Sequence, residues 1–374
     1  MYDLRDDSGP RKKSSDSPSI TGQKIKRPRG ISDMAKKNSV TSVDVARLAG
    51  VSQSAVSRAF SRVPTQSGVS AETKKRIFTA AKELGYRPNA LARSMITGRS
   101  KIIALLFSYL DNQFYALALE KFCIELQKNG YHAMVFMMPE TAVGVEETVS
   151  ELLEYKVDGI ITASVELSSS LCKLCQDQGI SVVMFNRIKA EEGVSCVSTD
   201  NVLGGRLAAR HFIKTGHQKI ALLSGWAESS TGRDRKLGFE LELSDQGHSL
   251  FDHAAGHFDL DATRSAVFKL LDRPPAERPD AIFFANDYMA IEGLSVMRNE
   301  LQLRVPHDVS IIGFDDIPLA GSPEYDLTTL RQPIHQMIDR SVSLMLSEIA
   351  GNDTVETVTM VPELVERGTV ANKT

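Results

Sequence analysis

At 374 residues the chain is long enough for two or three domains and a sizeable core. With 42% hydrophobic and 24% charged residues it has the composition of an ordinary soluble globular protein. It has no apolar run of the roughly 18 residues a membrane-spanning helix requires, so no membrane partner is expected. Its net charge of −3 conceals a division: residues 1–101 carry 21 Lys and Arg against 8 Asp and Glu, and the remainder 23 against 39. A basic head on an acidic body predicts that only the head meets a polyanion.

Residues 1–40, rich in Ser, Lys, Arg, Asp and Pro, show no apolar periodicity and are expected to be a disordered basic extension. Without them, residues 41–101 still hold 11 basic residues against 3 acidic ones. Met34, just before the first helical pattern, is an alternative first residue. The N-terminus lacks an apolar h-region, so no secretory signal is expected. Four cysteines make no disulfide framework, and a reducing cytoplasm is the expected compartment.

From Thr41 the pattern is helical. TSVDVARLAG offers Thr41 as N-cap and Gly50 as stop; SQSAVSRAF restarts at once with Ser52 as N-cap. SAETKKRIFTAAKELG follows, with Ser70 as cap, Ile77, Ala80, Ala81 and Leu84 on one face, and Gly85 at the end. RPNALARSMITG predicts a brief helix, too short to be stable alone in water. The first two helices form a helix-turn-helix candidate. On the second, Val56, Ala59 and Phe60 are expected to pack inward, leaving Gln53, Ser54, Ser57 and Arg58 on the outer face. Ser54 and Ala55 are small enough for close approach to a major groove, where Gln53 and Arg58 can reach purine edges; Ser57 suits a phosphate. A plain helical hairpin with a solvated face fits the same spacing.

After Lys101 apolar runs alternate with helical patterns: 102–110, 131–138, 158–164, 181–186, 219–225, 281–286 and 309–315. Such alternation predicts doubly wound parallel sheets, and seven strands over about 250 residues suit two smaller sheets. Polar and aromatic residues gather at the expected strand ends: Ser108, Asn112, Phe114 and Tyr115 after the first, Asn186 and Arg187 at the fourth. The pair Cys172/Cys175 lacks the partners of a zinc site and is expected to be buried on a helix. His248, His253 and His257 fall in a connection expected to be exposed. There is no phosphate-binding Gly loop and no nucleophile elbow, so neither a cofactor, a metal nor catalysis is expected.

The segments TSVDVARLAGVSQSAVSRAF, VSAETKKRIFTAAKELGYRPNALARSM and GFDDIP resemble the lactose/galactose repressor family of bacterial transcription regulators over residues 41 to about 371. The resemblance implies an all-α helix-turn-helix head (41–87), a hinge helix and linker (88–100), and an α/β two-lobed core (101–374) similar to periplasmic sugar-binding proteins. It implies a homodimeric repressor on a palindromic double-stranded DNA operator, controlled by a small sugar-like effector between the lobes. Thr41, Ser42, Ser52, Gln53, Ser54, Ser57 and Arg58 would then meet DNA, as would Asn89, Leu91, Ala92 and Met95 of the hinge. Met95 stands where the family usually has Leu and would wedge into the minor groove. Ala55 stands where the family commonly has Thr. Lobe one would be about 102–186 with 327–355, lobe two about 187–326 with the tail, and three crossings would join them. Arg235, in Arg-x-x-Gly-aromatic, would lead the effector site, with Phe258, Asn286 and Asp315 lining the cleft. Asn286 and Asp315 also suit caps of the segments that follow them. A ligand-binding protein of the periplasmic kind, or an enzyme on the same fold, are the alternative readings.

Overall fold

The computed structural model describes residues 40–60, 68–87, 98–138, 142–164, 169–188, 193–352 and 354–373. The extension before Val40, and with it Met34, lies outside the described residues; so do Asn89, Leu91, Ala92 and Met95 of the expected hinge. The chain divides into two compact units, Met1–Pro88 and Asn89–Thr374.

Among the described residues the first unit holds three helices: α1 (Ser42–Ala49), α2 (Gln53–Ala59) and α3 (Ala71–Leu84). Thr41 opens α1 by binding the Asp44 carboxylate through its backbone N–H (3.0 Å) and its hydroxyl (2.8 Å). Gly50 closes α1 at φ 64°, a conformation that costs residues with a Cβ. Ser52 then accepts from the Ala55 N–H at 3.2 Å, so the turn between the helices is three residues long. Small residues dominate the core (Ala46, Ala49, Ala55, Ala59, Ala80 and Ala81 around Val45, Val56 and Ile77), which lets the three helices approach closely. Phe60 lies edge-on to Phe78 at 5.0 Å and closes one side. Ala55 is a correction: it packs inward with Val56 rather than facing a groove.

The second unit holds two six-stranded sheets. The first uses β1 (Ile102–Phe107), β2 (His132–Met137), β3 (Gly159–Ala163), β4 (Ser181–Phe185), β5 (Ser195–Thr199) and β11 (Thr357–Met360), in the order β11-β5-β4-β3-β1-β2 and parallel throughout. The second uses β6 (Ile220–Ser224), β7 (Asp252–Ala255), β8 (Ala281–Phe284), β9 (Ser310–Asp315), β10 (Thr329–Arg331) and β12 (Glu363–Val365), ordered β12-β10-β9-β8-β6-β7, with β12 alone antiparallel. Each sheet thus reverses direction beside its first strand, where open α/β sheets bind ligands at their carboxyl ends. Among the described residues its α-helices are α4 (Gln113–Lys128), α5 (Ala142–Glu154), α6 (Ser169–Asp177), α7 (Asn201–Lys214), α8 (Ser230–Asp245), α9 (Leu260–Leu271), α10 (Asp287–Asn299) and α11 (Ile334–Ile349). None of the described helices is long and apolar enough to cross a membrane.

All seven expected strands form, trimmed at their ends, and five more join them. The chain crosses between sheets three times, near 200, 332 and 362, but the lobe boundaries differ from the expected ones: β5 and β11 belong to the first sheet and β10 to the second. Cys172 and Cys175 are buried on α6. His253 is a correction, since it lies on β7, half-buried, with its Nε2 2.9 Å from the Ser224 hydroxyl.

Candidate functional site

The head presents its polar edge at the N-termini of α1 and α2. Thr41, Ser52, Gln53 and Ser54 are exposed there and Ser42 is half-buried, while Ser57 and Arg58 are exposed in the last turn of α2. Gln53 Nε2 donates to the Ser42 hydroxyl at 3.1 Å, and the Ser52 and Ser54 hydroxyls are 2.9 Å apart. Arg58 Nε donates to the Ser54 carbonyl at 3.3 Å. These are single, solvent-facing bonds, so either long side chain can be released at small cost. Two helix N-termini beside one row of hydroxyls and amides suit a phosphate backbone.

In the second unit, nine of the ten residues expected at an effector site line one cavity: Asn112, Phe114, Tyr115, Asn186, Arg187, Arg235, Phe258, Asn286 and Asp315. Ser108 is the exception; its backbone N–H donates to the Ser164 hydroxyl at 3.0 Å and its side chain does not reach the cavity. Tyr109 and Thr231, beyond the residues the sequence points to, complete the lining. Thr231 lies one helical turn before Arg235, so helical spacing from Arg235 could have found it. Tyr109 lay inside the run expected to be strand, but β1 ends at Phe107 and leaves Tyr109 in the loop.

The cavity encloses only about 10 Å³, close to the space of one water. Its walls instead bond one another. Arg235, 2% exposed, donates from Nε to Asn201 Oδ1 (2.9 Å) and from Nη1 to the Ala285 carbonyl (2.5 Å), and its guanidinium lies 3.6 Å over the Phe314 ring. The same Nη1 is 3.7 Å from Asp315 Oδ1. Asp315 also accepts from Gln332 Nε2 at 2.7 Å, and from Asn112 Nδ2 at 3.5 Å across the two sheets. Arg187 Nη1 donates to the Asn186 carbonyl and to the Thr231 hydroxyl, both at 2.9 Å. Asn186 Nδ2 donates to the Tyr115 hydroxyl at 3.3 Å, while its side-chain carbonyl oxygen is buried without a partner. A buried orphan acceptor costs stability unless a ligand donor reaches it.

Backbone strain gathers at the same strand ends. Ser164 after β3, Asn186 after β4, His257 and Phe258 after β7, and Asp315 and Asp316 at the end of β9 all have positive φ. Such conformations cost free energy and persist where the surroundings enforce them, often at binding sites. The Phe258 ring lies directly on Gly225, where any Cβ would run into it. Asn286 does cap α10, accepting from the Met289 N–H at 3.0 Å, and still lines the cavity. Asp315 caps nothing; its neighbour Asp316 pairs with Arg331 and Arg367, each at 2.6 Å.

A second buried carboxylate, Asp287, sits behind Asp315. It accepts from the Thr329 hydroxyl (2.5 Å) and the Ile317 N–H (3.0 Å). Burial, with Asp315 as a like charge, pushes its pKa up to about 7; burial also raises Asp315, to about 6, against the pull of Arg235. Both carboxyls hold their protons to higher pH in the folded chain than near 3.8 in the unfolded one. Their stabilisation is therefore full below that value and is lost as pH rises through about 7. Asp287→Asn, whose amide can give its oxygen to Ile317 and its NH₂ to the Thr329 oxygen, is expected to flatten the fall in melting temperature between pH 5 and pH 8. Thermal unfolding across that range checks it; an unchanged slope in the variant refutes the assignment.

Among the described residues no group of three or more His, Cys, Asp or Glu is placed to hold a metal ion. Residues 41–89 match the family model of bacterial regulatory proteins, lacI family, and residues 209–370 that of a periplasmic binding protein-like domain. The HTH-type transcriptional repressor PurR of Aliivibrio fischeri (strain MJ11) is 31% identical over 341 residues, 88% of this chain and 98% of the relative. A lac repressor dimer bound to operator and the anti-inducer ONPF superposes with TM-score 0.78 at 26% identity, over 89% of this chain and 99% of that one. The complex of the regulator CelR with cellobiose does so with TM-score 0.66 at 30% identity, over 88% and 99%.

Proposed function

Since the chain belongs to the lacI family of bacterial regulatory proteins, we propose that it is a homodimeric transcriptional repressor whose grip on a palindromic operator is set by a sugar in the inter-lobe cleft. One short reading helix per protomer needs a symmetric partner to specify a palindrome. Gln53 and Arg58 read base edges; Thr41, Ser42, Ser52, Ser54 and Ser57 meet the backbone, and Asn89, Leu91, Ala92 and Met95 enter the minor groove. The functional divisions are the extension 1–40, the head 41–87, the hinge 88–100 and the sensor 101–374. The protein acts in the cytoplasm, where the DNA is, and catalyses nothing.

The observation that carries this reading is the wiring of the cleft to the segments that cross between sheets. Arg235 is bonded to Asn201, at the first crossing. Asp315 is bonded to Gln332, at the second, and Gln332 in turn accepts from the Thr199 hydroxyl at 2.6 Å. A ligand that competes for Arg235 and Asp315 changes bonds at two hinges at once, and so biases the angle between the lobes. Planar guanidinium, carboxylate and amide groups suit vicinal hydroxyls, and Phe258 covers the apolar face of a ring. The chain leaving the hinge is in turn held by the first sheet: Ser100 and Lys101 donate their N–H groups to Asp158 at 2.7 and 3.1 Å. Movement of that lobe is thereby passed to the linker. Because coupling is reciprocal, operator must change sugar affinity by the same factor that sugar changes operator affinity.

A gel shift at fixed salt, with an operator selected by the protein from a random duplex library, tests the reading. It stands if the selected site is palindromic, outcompetes a scrambled duplex, and changes affinity with a sugar that raises the melting temperature. Equal affinity for the scrambled duplex would remove the repressor assignment.

A further inference from the structure

Beside the inner cavity, and sharing its Arg187 wall, lies an open chamber of about 360 Å³ bounded by Ser164, Arg187, Trp226, Glu228 and Ser229. Its size falls within the range of small-molecule sites, whereas the inner cavity admits one ring only if the lobes part. Trp226 is 40% exposed, and its indole meets the Phe258 ring edge-on at 5.9 Å and 87°. Phe258 belongs to the inner cavity, so one aromatic wall runs from the inner site into the chamber. The Ser229 N-cap fixes this wall, since its hydroxyl donates to the Trp226 carbonyl at 3.0 Å and accepts from the Gly232 N–H at 3.1 Å.

We propose that the chamber is a second sugar subsite, and that the effector is a neutral two-ring saccharide with one ring among Arg235, Asn286 and Asp315 and the other on Trp226. This rests on the reading of the cleft as a sugar site. An indole face covers the apolar side of a pyranose, and the rim supplies hydroxyl and carboxylate groups for its edge. The exposed Glu228 carboxylate disfavours a phosphorylated or carboxylated second unit by like-charge repulsion.

Trp226 is the only tryptophan of the chain, so tryptophan emission reports the chamber alone. The full chain is titrated by calorimetry and by tryptophan fluorescence with D-glucose, D-galactose, D-fructose, cellobiose, maltose, lactose and sucrose. The expected result is that one disaccharide binds at least about tenfold tighter than either of its monosaccharides and changes the emission. Trp226→Ala then removes that advantage while a monosaccharide still binds, which also certifies its fold, and Trp226→Tyr restores most of the advantage. Monosaccharides binding as tightly as every disaccharide, or Trp226→Ala weakening both alike, overturns the two-ring proposal and leaves the cleft reading intact. No binding by any sugar overturns both.

Discussion

Arg235→Ala is expected to abolish the response to sugar while the head keeps its affinity for operator. The guanidinium is buried, stacked on Phe314, and shared among Asn201, the Ala285 carbonyl and Asp315. On the proposed reading, its removal takes away a ligand donor together with the bond to Asn201 at the first crossing, so a sugar loses both a contact and a lever on the lobes. It also takes from buried Asp315 the guanidinium 3.7 Å away and leaves it the weaker pull of Arg187. Breaking one side of a buried pair costs about 3–5 kcal/mol, so the second unit should melt well below wild type. That loss should shrink at pH 5, where Asp315, raised to about 6, is largely protonated. The head has its own core of Val45, Val56, Ile77 and small residues and does not share this penalty. Gel shifts with and without the sugar that stabilises wild type, run below the variant's melting transition, decide the matter. A variant that still responds to sugar would show that Arg235 only holds the fold.

The second large effect concerns the head. Gln53→Ala and Arg58→Ala should each weaken selected operator by about 1–3 kcal/mol, the value of a good base contact, and relax specificity at one position of each half-site. Both side chains are exposed and make one bond to their own unit, so neither change should lower the melting temperature noticeably. Ser57→Ala, in contrast, should weaken selected and scrambled duplexes alike, because a phosphate contact carries no sequence information. Competition binding at one salt concentration separates the two classes. If Gln53→Ala and Arg58→Ala lose equal affinity for both duplexes, they are backbone contacts and the reading face lies elsewhere.

Some of this was legible in the chain because local chemistry decided it. Thr41, Ser52 and Ser70 are caps wherever they stand before an amphipathic run, and Gly50 and Gly85 end helices because a left-handed residue must. Apolar runs marked seven strands because fully buried parallel strands need no alternation. β5 escaped notice because SCVST reads as polar; it is fully buried only because Ser195 bonds Glu348 and Thr199 bonds Gln332, partners more than 130 positions away. The remaining missed strands are three or four residues long, too short for any periodicity to register. The small size of Ala55 permits close approach to either a groove or a neighbouring helix, and packing against the other helices chose the latter.

By itself, then, the sequence determined the division into a basic helical head and an acidic α/β body, the caps and stops of the head, and the residue types of a polar cleft. Those depend on near neighbours and on hydrophobic pattern. The tertiary structure alone decided which strands share a sheet and that Tyr109 joins the cleft while Ser108 does not. It also set Asp287 behind Asp315 and opened a chamber under Trp226. Each of these is a meeting of segments far apart in the chain, fixed by packing between sheets and helices, and no local pattern encodes a distance across a fold.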